Sequence, residues 1–207
     1  MPPPRPAAVL YDIGNVLIRW DVRALYRTIF DDPAEMEHFL ANVWTPMEND
    51  RCDRGARFAE VIEERVRLHP DHEDAIRAAR ERWIETIPGP VDGAWELVVE
   101  LDEAGVPLFG LSNFSAETFP LVVERYPGFR RFRDIVISGE HPGLAKPDRG
   151  IFELVCERSG LAPETFLFVD DSPANTKAAD ALGFTTVTFT DTPSFRAELV
   201  AAGLLAR

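Results

Sequence analysis

Residues Val9–Leu17 read VLYDIGNVL: an apolar run, one aspartate, a Gly-Asn pair and a second apolar run. The composition of residues 7–11 predicts a short buried strand. Asp12 stands where that strand ends. A carboxylate is costly to bury without a partner. It is therefore expected to face a crevice at the carboxyl end of the strand, where open α/β sheets bind ligands. Taken alone, the stretch also allows a plainer reading in which Asp12 caps a turn. The remainder of the chain separates the two.

The 207 residues, 45% of them hydrophobic, suffice for one α/β core with an inserted or appended subdomain. No segment is low in complexity, which argues against disorder. No apolar stretch approaches the length of a membrane span, and none has the form of a secretory signal. The opening MPPPRP reads as a short disordered or polyproline lead-in. Cys52 and Cys156 lie far apart without metal-ligand spacing and read as reduced thiols of a cytoplasmic protein. The net charge of −13 argues against nucleic acid and anionic membrane as partners. A small anionic substrate remains compatible, because a bound divalent cation can reverse the field at one site.

Beyond Leu17 the apolar period becomes helical. Asp21 is expected to cap a helix carrying Val22, Leu25, Tyr26, Ile29 and Phe30. Asp32 caps a second, with Pro33 at its first position and Met36, Phe39, Leu40 and Val43 on one face. A polar stretch from Thr45 to Gly55 interrupts. A third helix carries Phe58, Val61, Ile62 and Val66, and a fourth runs from about Asp71 through Ile76, Ala79, Trp83, Ile84 and Ile87. Pro88-Gly89-Pro90 ends the run. Residues 19–87 are thus expected to form an all-helical block inserted into an α/β core made of residues 1–18 and 88–207.

From Val91 onward, strands and helices alternate. Strands are expected at residues 106–111, 135–137, 165–169 and 186–189, with helices near 94–104, 116–125, 148–160, 172–183 and 194–202. Five strands with helical crossovers imply a parallel, Rossmann-like sheet covered on both faces. Three polar groups then fall at strand carboxyl ends: Asp12, Ser112-Asn113 and Asp170-Asp171. A fourth, Lys146-Pro147-Asp148, opens a helix. All carboxyl ends of a parallel sheet lie on one edge, so the groups can share one crevice.

The chemistry these residues suit is phosphoryl transfer. Asp12 and Asp170 can supply oxygen ligands to Mg²⁺, with Asp171 beside them. Asp171 could instead cap the following helix. Lys146 can pair with Asp12 and with phosphoryl oxygens. The Ser112 hydroxyl suits phosphoryl oxygens too, although Ser112-Asn113 is also ordinary turn chemistry. Asp12 would be the nucleophile, forming an aspartyl phosphate that water hydrolyses. Gly14 allows close backbone approach to a metal or phosphate, and Asn15 either joins substrate binding or stabilises the turn. Asn175, on the first turn after the acids, either bonds a metal ligand or is a surface polar residue of that helix. The four histidines share no spacing and read as surface residues.

The stretches YDIGNVL, FGLSN, GLAKPD and FLFVDDSPANTKAADALG, in that order, resemble the haloacid dehalogenase (HAD) superfamily of hydrolases. The resemblance covers most of the core and is closest to sugar-phosphatase-like members with an Asp-x-Gly-Asn-Val first motif and a helical cap. It implies a Mg²⁺-dependent phosphatase acting on a small phosphorylated metabolite, with the cap after the first strand. Most phosphatases of this superfamily carry a second aspartate two residues after the nucleophile, as general acid and base. Here that position is Gly14. Its carbonyl can still bind the metal, but the acid–base role stands vacant. Glu48, Asp50 and Asp53 of the cap are candidates to fill it. Trp44, Arg51 and Arg54 share their loop, and Arg19 and Trp20 lie at the hinge.

Two alternatives follow from Gly14. The 2-haloacid dehalogenases of the superfamily also lack the second aspartate and use no metal, but they carry Ser and Asn where this chain has the adjacent acids Asp170-Asp171. The other alternative is a catalytically weak binding or regulatory protein. The oligomeric state is left open.

Overall fold

The computed structural model describes residues 5–206. The first four positions of the expected lead-in lie outside them. β1 (Ala8–Tyr11) is buried at all four positions and forms the middle of the sheet. It pairs in parallel with β4 (Leu108–Ser112) on one side and β6 (Phe166–Asp170) on the other. β5 (Asp134–Ile137) extends the sheet beyond β4, and β7 (Thr185–Thr188) extends it beyond β6. The order β5-β4-β1-β6-β7 reverses direction at β1. In a doubly wound sheet, that reversal opens the ligand crevice at the strand carboxyl ends.

Alternation along β1 sets the two faces. Val9 and Tyr11 join a core with α6 (Ala94–Glu103), α7 (Phe119–Arg125) and α10 (Thr192–Ala202). Ala8 and Leu10 join a second core with α8 (Arg149–Ser159) and α9 (Pro173–Asp180). The sheet is therefore covered on both faces, as its apolar strands require.

Between β1 and β4 the chain makes one long excursion. β2 (Ile18–Arg19) and β3 (Gly89–Pro90) pair antiparallel, so the outgoing and returning chains run side by side. Between β2 and β3 every regular element is helical. α1 (Val22–Tyr26) is capped by Asp21 and α2 (Pro33–Asn42) by Asp32, each carboxylate accepting a backbone N–H. α4 (Phe58–Leu68) and α5 (Glu73–Glu81) follow, α5 beginning two residues after the expected start because Pro70–His72 forms a short 3₁₀ turn.

The stretch from Thr45 to Gly55 departs from expectation. It holds α3 (Pro46–Asp53). Only Glu48 and Cys52 of this helix are buried, so it has no apolar stripe to betray it. Capping forms it instead: the Thr45 hydroxyl accepts from Met47 N at 3.2 Å, and Glu48 Oε2 accepts from Thr45 N at 2.7 Å. α3 lies on the core, where the Ser138 hydroxyl donates to the carbonyl of Asp53 and Arg54 pairs with Asp148 at 3.2 Å. Asp148 precedes α8 as expected, but its side chain makes no capping bond.

Candidate active site

Asp12 follows β1 directly at the crevice and is 6% exposed. Its Oδ1 accepts from Ile13 N at 2.7 Å and the Ser112 hydroxyl at 2.9 Å, and lies 2.7 Å from Lys146 Nζ. Among the described residues no hydrogen bond reaches Oδ2. Lys146 is equally buried. Its ammonium also donates to Asp170 Oδ2 at 2.7 Å and to the Leu111 carbonyl at 2.9 Å, so its three hydrogens are all used. Burial alone would strip charge from Lys146, but the two carboxylates outweigh it and hold the pKa above its ordinary value. For Asp12, burial pushes the pKa up, Lys146 opposes it and the charge of Asp170 adds to it.

Asp170 ends β6 and is completely buried. Its Oδ1 accepts from Ser172 N at 2.8 Å, and Asn175 Nδ2 reaches both oxygens at 3.0 and 3.1 Å. Asn175 thus sits where the sequence pattern put it. Asp171 is exposed. Partial burial and its neighbour Asp170 raise its pKa, against the Asn15 side chain, which hydrogen-bonds to it. One carboxylate oxygen each from Asp12, Asp170 and Asp171 lies within 4.8 Å of the others. Such a set of hard oxygen donors could hold a small divalent cation.

The other motif residues are placed around this centre. Asn113 clasps the backbone of Lys146, its Nδ2 donating to the carbonyl at 2.9 Å and its Oδ1 accepting from the N–H at 2.8 Å. Asn15 has φ +55°, a left-handed conformation that asparagine tolerates, and its Oδ1 accepts from Trp20 N at 3.0 Å. Gly14 has no left-handed φ, and a Cβ built on it meets nothing within 4 Å.

These residues open onto a cavity of about 190 Å³. Apolar lining comes from Ile18, Trp20, Trp83, Ile87 and Phe114, and two polar side chains, Asn49 and Asp53, come from α3. Asp53 is half-buried, and Asn49 Nδ2 donates to it at 3.1 Å. Burial, with Asp50 nearby, pushes its carboxyl up to about 8, against a backbone hydrogen bond from Ser115. The other polar residues of the loop are committed elsewhere. Glu48 caps α3 and faces Arg65 at 3.5 Å, Asp50 pairs with Arg54 at 3.0 Å, and Arg51 pairs with Glu64 at 2.8 Å. Arg19 turns to Asp92, and Trp44 stacks on Phe58. Asn49, Trp83, Ile87 and Phe114 carry no motif. The capping box Thr45-x-x-Glu48, followed by Asn49 and Asp53 one turn apart, was the signal that could have found α3 and its polar face.

The profile of the haloacid dehalogenase-like hydrolases matches residues 6–183. Drimenol cyclase DrtB of Aspergillus calidoustus is 24% identical over 191 residues, 88% of this chain. The chain spans only 34% of that relative's length. A HAD family enzyme of Bacteroides thetaiotaomicron, solved with magnesium and inorganic phosphate, superposes with a TM-score of 0.65 at 23% identity, covering 90% of this chain and 95% of its own. The L-2-haloacid dehalogenase of Xanthobacter autotrophicus, solved with chloropropionic acid covalently bound, gives a TM-score of 0.61 at 19% identity, covering 97% and 85%. At such identities these structures speak to the fold. With the profile matched over most of its length, the chain belongs to the haloacid dehalogenase-like hydrolases.

Proposed function

We propose that this hydrolase is a Mg²⁺-dependent phosphatase of the cytoplasm, acting on a small phosphorylated metabolite through an aspartyl-phosphate intermediate on Asp12. The observation that carries the reading is the charge of the site. Three carboxylates, Asp12, Asp170 and Asp171, gather around a single buried ammonium. Attack on a phosphate dianion adds more negative charge, which a divalent cation offsets. Asp12, Asp170, Asp171 and the Gly14 carbonyl would hold it. Bound there, Mg²⁺ supplies Lewis-acid stabilisation to the phosphoryl oxygens.

The chain's own residues do the rest. Asp12 Oδ1 is tied by three donors, which orients Oδ2 as the attacking oxygen. Attack of Oδ2 on phosphorus breaks the bond to the leaving oxygen. Lys146 holds Asp12 charged and steady, with Asn113 fixing the lysine's backbone. Ser112 holds the same carboxylate oxygen, Oδ1, and with Gly14 and Asn15 lines the cavity in which the phosphoryl group would sit. Residues 19–87 serve as the cap, which excludes water and reopens for product. The cavity is below the roughly 300 Å³ at which drug-sized ligands begin, which favours a small substrate over a phosphoprotein.

The rival reading, attack on the carbon of a 2-haloacid, draws on Gly14 and on the likeness to the Xanthobacter fold. It leaves Asp171, beside the buried Asp170, with no cation to answer its charge. A panel of phosphorylated metabolites and an aryl phosphate, assayed with and without Mg²⁺, separates the two. Phosphate release that needs the metal and is lost in Asp12→Asn supports the phosphatase. Halide release from a 2-haloacid without metal supports the rival.

A further inference from the structure

A phosphate ester with an alcohol leaving group needs a proton on the departing oxygen, and the attack of water that follows needs a base. Four titratable residues line the cavity: Asp12, Asp53, Lys146 and Asp171. Asp12 provides the attacking oxygen. Lys146 has all three of its hydrogens engaged by Asp12, Asp170 and the Leu111 carbonyl. Asp171 belongs to the carboxylate group that could hold a cation. Asp53 is the one left, and it alone comes from the helical insertion.

Its surroundings suit a proton carrier. Burial is the main reason its carboxyl is pushed up to about 8, so it keeps its proton near neutrality and can still give it up. Asp50 of the same helix adds to this, while Ser115 N–H from the loop after β4 opposes it. Asn49, one turn back, donates to Oδ2 at 3.1 Å and fixes the side chain. The Ser138 hydroxyl, donating to the Asp53 carbonyl, ties the helix end to the core. The space beside Gly14 is open, so nothing on the nucleophile loop competes for the role.

Resting on the phosphatase reading above, we infer that Asp53 is the acid–base residue of the reaction, delivered to the substrate by α3. In the first step Asp12 Oδ2 bonds to phosphorus, the bond from phosphorus to the leaving oxygen breaks, and the proton of Asp53 passes to that oxygen to give the free alcohol. In the second, a water oxygen bonds to phosphorus and its proton goes to the Asp53 carboxylate. The bond from phosphorus to Asp12 then breaks, its electron pair returning to the carboxylate. Phosphate leaves, and both aspartates are restored.

The test is a series of substituted phenyl phosphates graded in leaving-group acidity, assayed with Mg²⁺ on the wild type and Asp53→Asn. The expected result is a shallow dependence in the wild type. In Asp53→Asn the poorest leaving groups lose about 10²–10⁴-fold in kcat/KM, while the best lose little. The wild type alone gives a second measurement that needs no variant. Its leaving-group dependence should be shallow near pH 6 and steepen above about pH 8, as Asp53 gives up its proton. Equal losses across the series in Asp53→Asn, or a wild-type dependence that is steep at every pH, overturns the role of Asp53 while phosphate release by the wild type leaves the phosphatase standing. No metal-dependent phosphate release from any ester by the wild type overturns both.

Discussion

Lys146 is the residue on which the charges of the site balance. It is buried against Asp12 and Asp170 with no hydrogen left to spare. Lys146→Met should destabilise the fold by about 3–5 kcal/mol at neutral pH, since it strands two buried carboxylates. Burial already pushes the Asp12 carboxyl up against the opposing lysine, so without Lys146 Asp12 holds its proton more tightly when folded than when unfolded. The loss in urea denaturation should therefore shrink as pH falls through the range in which Asp12 protonates. Gly14 gives a prediction of the opposite kind. A side chain there enters open space, so Gly14→Asp should fold within about 1 kcal/mol of wild type, the ordinary range for substitutions away from packed or strained positions. It should change turnover more than Mg²⁺ affinity by calorimetry. A collapse of Mg²⁺ binding with turnover per bound metal unchanged would refute the role given to that position. At this scale the motifs were legible because each functional side chain sits at a strand end or helix start, where polarity interrupts an apolar run. Asn113 was legible as a position but not as a clasp on Lys146, because that contact joins loops 33 residues apart.

Among the elements, α3 carries the most consequence for its size. It is held by its cap and by docking rather than by an apolar face, which is why hydrophobic periodicity passes over it. Thr45→Ala should cost about 1 kcal/mol in thermal or chemical denaturation. Glu48→Ala should cost more, because Glu48 closes the box and is also the buried partner facing Arg65. Both should lower activity beyond their effect on stability, since α3 carries Asn49 and Asp53 into the cavity. A variant that keeps full turnover after losing the box would separate α3 from function. β1, β4 and β6 were legible because buried parallel strands are largely apolar runs, whereas β2 and β3, two residues each, carry no such run. α7 came out three residues shorter at its start than the 116–125 pattern suggested, with Ala116–Thr118 forming a turn instead.

On the scale of the whole molecule, a strongly acidic chain places three carboxylates, Asp12, Asp53 and Asp171, around one cavity, with Asp53 contributed by the helical segment between β2 and β3. Among the described residues no helix is long and apolar enough to cross a membrane. The insertion meets the core through polar contacts, Arg54 with Asp148 and Phe58 N with Glu117 at 2.9 Å, and through apolar packing, with Trp83 set edge-on to Phe114. The exposed ion pair between Arg54 and Asp148 is worth only about 0–1 kcal/mol. Enclosure has a cost that pH reveals. Asp53 has a folded pKa raised to about 8, so the stability it contributes is fully present below its unfolded value near 4. That stability is lost as pH rises toward 8. The melting temperature of Asp53→Asn relative to wild type should rise over that interval and level off above it. A constant difference across pH would show that Asp53 is not enclosed in solution.

The most direct measurement of the central claim is to trap the covalent intermediate. The enzyme is mixed with a turning-over phosphate ester and Mg²⁺, quenched in acid within the first turnover, and digested for peptide mass spectrometry. The structure predicts a phosphoryl addition on the peptide containing Asp12, absent in Asp12→Asn and decaying slowly in Asp53→Asn. Phosphate release with no addition at Asp12, or the addition at another residue, would contradict it.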